Sequence, residues 1–255
     1  MRTGRLRWAL DCAAWRPSPD EWRAALGALP DDDAARVMRF VRESDRKLAL
    51  GSRLLQRRAC AEVLGARWRD VDVARTALGK PYLRAVGGAV GGARARRPDL
   101  PCFNFNASHH GAFVALASEP GCAVGLDVMN EAERPPRALG ASADEYFASF
   151  AAQFAPAEWD AIHAPGGGGG GGDDERERAR FARFYRFWAL KESYIKAHGE
   201  GLGHALDRLV FRVGDADAPR AAGGAARPPA LPLDCLLYTS PSPRDRTRSR
   251  MPSSA

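Results

Sequence analysis

Two patterns in this 255-residue chain predict an α+β protein. Residues from Ser18 to Leu64 and from Ala179 to His198 carry apolar side chains at helical spacing, whereas Phe103 to Met129 breaks into short apolar or alternating runs separated by turns. A third observation bounds the size of the core: at 45% hydrophobic content the chain can bury one large domain or two small ones.

Arg5 to Asp11 reads as a short strand. Ser18-Pro19-Asp20-Glu21 then combines a capping serine, proline in the first helical turn and glutamate three residues after the serine, which predicts a helix start. From Asp31 the acidic residues precede Val37, Met38, Val41, Leu48, Leu50, Leu54 and Leu55, a spacing that predicts one long helix or two consecutive ones reaching about Leu64. Leu78-Gly79-Lys80-Pro81 is a turn, and the glycine- and arginine-rich stretch after it reads as a mobile loop. The block from Phe103 to Met129 reads as strand, turn, strand, turn, strand: Phe103 and Phe105 alternate with asparagines, Ser108-His109 falls in the first turn, Ala112 to Ala117 is apolar, Glu119-Pro120-Gly121 turns, and Ala123 to Met129 is the third run. Alternation in that third run places Asp127 and Met129 on one face. Helices are expected around Tyr146 to Phe154 and Pro156 to Ile162, and a strand at Arg208 to Val213.

The seven glycines Gly166 to Gly172 and the charged run after them lack the lysine and Ser/Thr context of a phosphate cradle, so residues 165–178 read as a flexible insertion. Residues 214–255, first Pro/Gly/Ala-rich and then Ser/Pro/Arg-rich, have no apolar periodicity and are expected to lie outside the fold as a disordered or non-native tail.

No run of eighteen apolar residues occurs and charges interrupt the N-terminal stretch, so a cytoplasmic protein without membrane contact is expected. Five scattered cysteines without CxxC spacing suggest reduced thiols and neither a disulfide framework nor a zinc site. The net charge of +7 includes +3 from Arg244, Arg246, Arg248 and Arg250 less Asp245, which leaves a mild excess suited to an acidic protein or a phosphate-rich small molecule.

The stretch from Phe184 to Gly203 carries the densest chemistry. Glu192 and Lys196 stand four residues apart on one helix face beside Phe184, Trp188 and Ile195, and Gly199, Gly201 and Gly203 end the helix. Taken alone, that pair is an ordinary solvated ion pair.

Three blocks in order change that reading: GKP at Gly79 to Pro81, NASHHG with GLDVM between Asn106 and Met129, and WALKESYIKAHGEGLG from Trp188. Together they resemble the large, pseudo-dimeric class of 4'-phosphopantetheinyl transferases, closest to the animal-type branch named for aminoadipate-semialdehyde dehydrogenase. The resemblance implies two pseudo-symmetric α+β halves, residues 1–118 and 119–213, with coenzyme A between them; the second half lacks the strands that would close its sheet. It implies transfer of the phosphopantetheine arm of coenzyme A to a serine of an acidic acyl or peptidyl carrier protein by a monomer, with Mg²⁺ as cofactor. Asp127 and Glu192 would hold the metal, Glu192 would take the serine proton, and Lys196 would neutralise charge growing on the phosphate. Ser108, His109, Lys80 and Pro81 would meet coenzyme A, with Arg46, Lys47 and Arg75 toward its 3'-phosphate and adenosine. Relatives often carry a third carboxylate where this chain has Met129. Two other readings stay open at this point: a different Mg²⁺-dependent nucleotide-handling transferase, and a basic nucleic-acid-binding module, against which the lack of aromatic residues among the basic patches speaks.

Overall fold

The structure is a computed structural model and describes residues 4–86, 103–131, 142–165, 172–199 and 205–213. Strand β1 (Leu6–Asp11) leads through helices α1 (Pro19–Gly27), α2 (Asp31–Met38) and α3 (Glu43–Leu64) to the hairpin β2 (Val71–Arg75) and β3 (Pro81–Val86). Strands β4 (Phe105–His110) and β5 (Phe113–Ser118) follow, then helices α4 (Ala143–Ala148), α5 (Pro156–His163) and α6 (Asp173–His198).

The predicted strand–helix–helix opening is present. Ser18 accepts from the Glu21 amide while the Glu21 carboxylate accepts from the Ser18 amide, the reciprocal cap that the sequence signals. The stretch from Asp31 to Leu64 forms two helices, broken at residues 39–42. Strands β1, β5 and β4 form an antiparallel sheet in that order, with β5 central. One face of it, carrying Leu6, Trp8, Phe105 and Leu116, packs on Ala59, Cys60 and Val63 of α3. Burial pushes the Cys60 thiol up to about 12, so it is an inert part of this core. A second core of aromatic residues lies among α4, α5 and α6, where Phe147 stacks on Phe184 at 4.7 Å between ring centres.

Four expectations need correction. Ser108 and His109 lie inside β4, not in a turn; the turn is Gly111-Ala112, and β5 starts one residue later than expected. Residues 123–129 form no strand. They run along the other face of the sheet, held by side chains of β4 and the residue before it instead of a backbone ladder: Asn104 Nδ2 donates to the Cys122 carbonyl at 3.0 Å, and the Leu126 amide donates to Asn106 Oδ1 at 3.2 Å. Residues 173–178 belong to α6 and not to an insertion, because Asp173, Asp174 and Glu175 suit the positive end of a helix dipole; the glycines 166–171 lie outside the described residues. Residues 208–213 are no strand either. A 3₁₀ turn at Leu206–Arg208 precedes an irregular segment tied to the helices: the ammonium of Lys191 donates to Glu158 at 2.7 Å and to the carbonyls of Leu206 and Leu209 at 2.8 and 2.7 Å.

The α+β class therefore holds, with all described strands in the first half and the described second half helical. The glycine- and arginine-rich loop, Gly201, Gly203 and residues 214–255 lie outside the described residues. Among the described residues, no helix is long and apolar enough to cross a membrane.

Candidate active site

Alternation along β4 sends consecutive side chains to opposite faces, and the site uses both. Ser108, with Asn106 and His110, faces residues 122–131, while His109 faces the α3 side. Ser108 Oγ donates to Asp127 Oδ1 at 2.9 Å and accepts from Lys196 Nζ at 3.1 Å. Lys196 Nζ also bonds Asp127 Oδ1 directly. The Asp127 side chain is only 8% exposed, against 32% for Lys196. A strand residue, a loop carboxylate and a helix ammonium thus meet at one point, each from a different part of the sequence.

Gly125 is what lets Asp127 reach this point. A Cβ there would lie 1.7 Å from the Ser193 carbonyl oxygen and 2.6 Å from the Ala197 nitrogen, so only glycine allows the loop to press onto α6. Asp127, Glu192, Lys196, Met129 and Trp188 line a cavity of about 360 Å³ at this contact. Burial, and to a lesser degree the charge of Asp127, pushes the Glu192 carboxyl above its ordinary value, with Lys196 pulling the other way.

A second cavity of about 810 Å³ shares Glu192, Lys196, His109 and His110 with the first and extends between α3 and the β2–β3 hairpin. Its walls are basic. Lys80, reaching across to the Ala197 carbonyl, is pushed down to about 8 by burial. Burial, and then the neighbouring Arg53, lowers the Arg75 guanidinium, with Asp33 opposing and Arg36 adding to the effect. Burial, then Lys196 and His110, lowers His109. Cations desolvated in this way gain from an anionic ligand, which favours their charged forms.

Of the residues selected from the sequence, Asp127, Glu192, Lys196, Ser108 and His109 come together around the smaller cavity, and Lys80, Pro81 and Arg75 line the larger one. Arg46 and Lys47 are not brought to either lining: Arg46 Nε donates to the Phe40 carbonyl at 2.7 Å and Lys47 pairs with Glu43 at 3.1 Å. The face of α3 that meets the cavity carries Asp45, Leu48, Ala49, Ser52, Arg53 and Gln56. Each residue along a helix turns the side chain by about 100°, so Arg46 and Lys47 fall beside this face. The missed residue is Arg53, whose signal was its helical spacing from Asp45 and Ala49; it bonds Asp33 at 3.2 Å and the Ala49 carbonyl at 2.9 Å.

A basic cavity thus adjoins a smaller one lined by Asp127 and Glu192, and comparison with known proteins gives the family. A family model described as 4'-phosphopantetheinyl transferase, N-terminal, matches residues 13–121, and one described as 4'-phosphopantetheinyl transferase superfamily matches residues 123–231. The chain belongs to the 4'-phosphopantetheinyl transferase superfamily. It is 37% identical over 210 residues to an L-aminoadipate-semialdehyde dehydrogenase-phosphopantetheinyl transferase of Xenopus laevis, covering 82% of this chain and 62% of that one. The protein of the same name in Homo sapiens is 37% identical over 206 residues, 81% of this chain and 60% of its own. A 4'-phosphopantetheinyl transferase 1 of Fusarium mangiferae is 30% identical over 212 residues, 77% of this chain and 68% of its own. The chain thus spans about 60% of the length of its animal relatives.

The donor set in this superfamily member fits a hard divalent cation. Asp127 and Glu192 line one cavity and the charge of Asp127 bears on Glu192, and Mg²⁺ takes one or two protein carboxylates with water and substrate phosphate for the rest. Among the described residues no group of three or more His, Cys, Asp or Glu forms a cage, and Met129 lies on the wall of the smaller cavity.

Proposed function

We propose that this chain transfers the 4'-phosphopantetheine group of coenzyme A to a serine of an apo acyl or peptidyl carrier protein, releasing adenosine 3',5'-bisphosphate. The observation that carries the reading is the junction of a basic cavity with the Asp127–Ser108–Lys196 cluster beside Glu192. A nucleotide bearing a 3'-phosphate and a pyrophosphate suits walls supplied by Arg53, Arg75, Lys80 and His109. Coenzyme A would lie between the residues 1–118 and those that follow.

Asp127 and Glu192 would hold Mg²⁺, which when bound neutralises pyrophosphate charge. Glu192, raised toward neutrality by its half-buried setting, is suited to accept the proton of the incoming serine hydroxyl. Lys196 places a positive charge where the phosphate oxygens gain negative charge as the bond to the leaving nucleotide breaks, and Ser108 orients that ammonium through its hydroxyl. Trp188 packs on Phe150 and Phe154 and so sets the pitch of the α6 turn that carries Glu192. An acidic carrier protein suits the mild positive excess of the chain. We also propose that the protein acts as a cytoplasmic monomer.

The test is transfer of labelled phosphopantetheine from coenzyme A to an apo carrier protein with Mg²⁺. Asp127→Ala and Glu192→Ala are each expected to remove transfer. Activity that persists in both variants overturns the mechanism.

A further inference from the structure

Asn104, just before β4, and the even-numbered residues of β4 form a row of side-chain hooks on the loop that bears Asp127. Asn104 holds the Cys122 carbonyl, Asn106 accepts from the Leu126 amide at 3.2 Å, Ser108 donates to Asp127, and the Asn130 amide donates to His110 Nδ1 at 2.8 Å. The loop cannot pair as a regular strand here, because Gly125 is pressed onto the backbone of α6 at Ser193 and Ala197. Its opposite side is met by the hooks. The peptide immediately before Asp127 is therefore held from two directions: by the α6 backbone at Gly125 and by the buried carboxamide of Asn106 at Leu126, itself 3% exposed.

We infer that Asn106 is a positioning residue for the phosphopantetheinyl transfer, acting through the Leu126 amide to set the direction of the Asp127 carboxylate relative to Glu192 and Lys196. Asn106 also borders the larger cavity, so its positioning role is read from metal binding and not from coenzyme A affinity alone. Its effect belongs with the groups that orient first-contact ligands, whose loss typically reduces metal affinity or activity about 10- to 100-fold. Because Asn106 stands on the sheet of the first half, that half takes part in the chemistry as well as in walling the larger cavity. This inference rests on Asp127 being a metal ligand, as proposed above.

The experiment compares Asn106→Ala with Asn104→Ala, which removes a hook of the same chemistry in the same row, directed at the Cys122 carbonyl and five residues from Asp127. For Asn106→Ala the expected results are about a tenfold or greater rise in the Mg²⁺ concentration giving half-maximal transfer, a lowered kcat, and a KM for coenzyme A unchanged within about twofold. Mn²⁺ binding followed by electron paramagnetic resonance should weaken by a similar factor, and the Leu126 amide should exchange with deuterium faster. Asn104→Ala should lower the melting temperature but leave Mg²⁺ dependence and Mn²⁺ affinity unchanged. The inference is overturned if Asn106→Ala changes only the melting temperature, or if both variants shift metal dependence equally. Should Asn106→Ala fail to fold, Asn106→Ser, with a shorter polar reach, is read in the same way. Wild-type protein that binds Mn²⁺ in an Asn106-dependent way yet transfers nothing from coenzyme A would refute the proposed reaction and leave the positioning role standing.

Discussion

At the scale of single residues, burial sets the pH behaviour of the site. Lys80, held near 8 by desolvation, enters complex formation largely uncharged above that pH, and a phosphate brought beside it draws a proton onto it. Coenzyme A binding at pH 8.5 is therefore expected to take up protons, read as a difference in calorimetric heat between two buffers of unlike ionisation enthalpy. Lys80→Met should reduce the uptake. The same group affects stability: with its folded value below its unfolded one, the stability it contributes at high pH is lost as pH falls through about 8. Glu192 has the opposite sign. Its folded value lies above the ordinary 4.5, so its favourable contribution is complete below the unfolded value and is lost as pH rises through the folded one. Glu192→Gln should accordingly unfold at a higher urea concentration than wild type at pH 7, the gap closing in acid, while transfer is lost. Glu192 and Lys196 were legible from the motif that begins at Trp188, whereas the low value of Lys80 was not, since it depends on the α6 terminus that covers it.

At the scale of elements, the helices reveal themselves because their signals are local, whereas strands β2 and β3 went unread apart from the turn between them. The Ser18–Glu21 cap and the glycine after His198 lie within a few residues of what they define. Gly199 ends α6 in the left-handed conformation at φ 74°, and an added Cβ would stand 3.0 Å from Lys80 Cδ. Gly199→Ala is expected to cost about 1–2 kcal/mol in chemical unfolding from backbone strain and to displace Lys80. The 123–129 segment was misread as a strand because its apolar run has the composition of one. What prevents pairing is the contact of Gly125 with α6, nearly seventy positions away in sequence. Gly125→Ala should destabilise the protein by about 1–3 kcal/mol through overpacking and remove transfer by moving Asp127, outcomes measured by urea titration and by the carrier assay. The Ser108-His109 pair was found by motif but misassigned to a turn, so the separation of its two side chains to opposite faces appeared only with the register of β4.

At the scale of the molecule, a buried ion pair joins α5, α6 and the segment from Leu206 to Phe211. Lys191 and Glu158 are both 0% exposed. The ammonium spends its three protons on Glu158, Leu206 and Leu209, and the carboxylate accepts from Ala155 and Phe211 as well. Lys191→Met leaves a buried carboxylate without its counter-charge and is expected to cost about 3–5 kcal/mol by thermal or urea unfolding. Adding Glu158→Leu should recover only part of that, because the backbone groups at Ala155, Leu206, Leu209 and Phe211 still lose their partners. Neither residue stood out beforehand: Lys191 is one of many charges on a helix, and only the three-dimensional arrangement shows that its side chain points inward. The sequence by itself determined the α+β class, the cap at Ser18 and the family, and singled out Asp127, Glu192 and Lys196 as candidates, since each rests on periodicity or on short motifs. Tertiary structure alone decided which face of α3 meets the cavity, why residues 123–129 do not pair, and how Asp127 meets Ser108 and Lys196. Those outcomes depend on contacts between residues far apart in the chain, where a rotation of one helix position or one missing Cβ changes which groups touch.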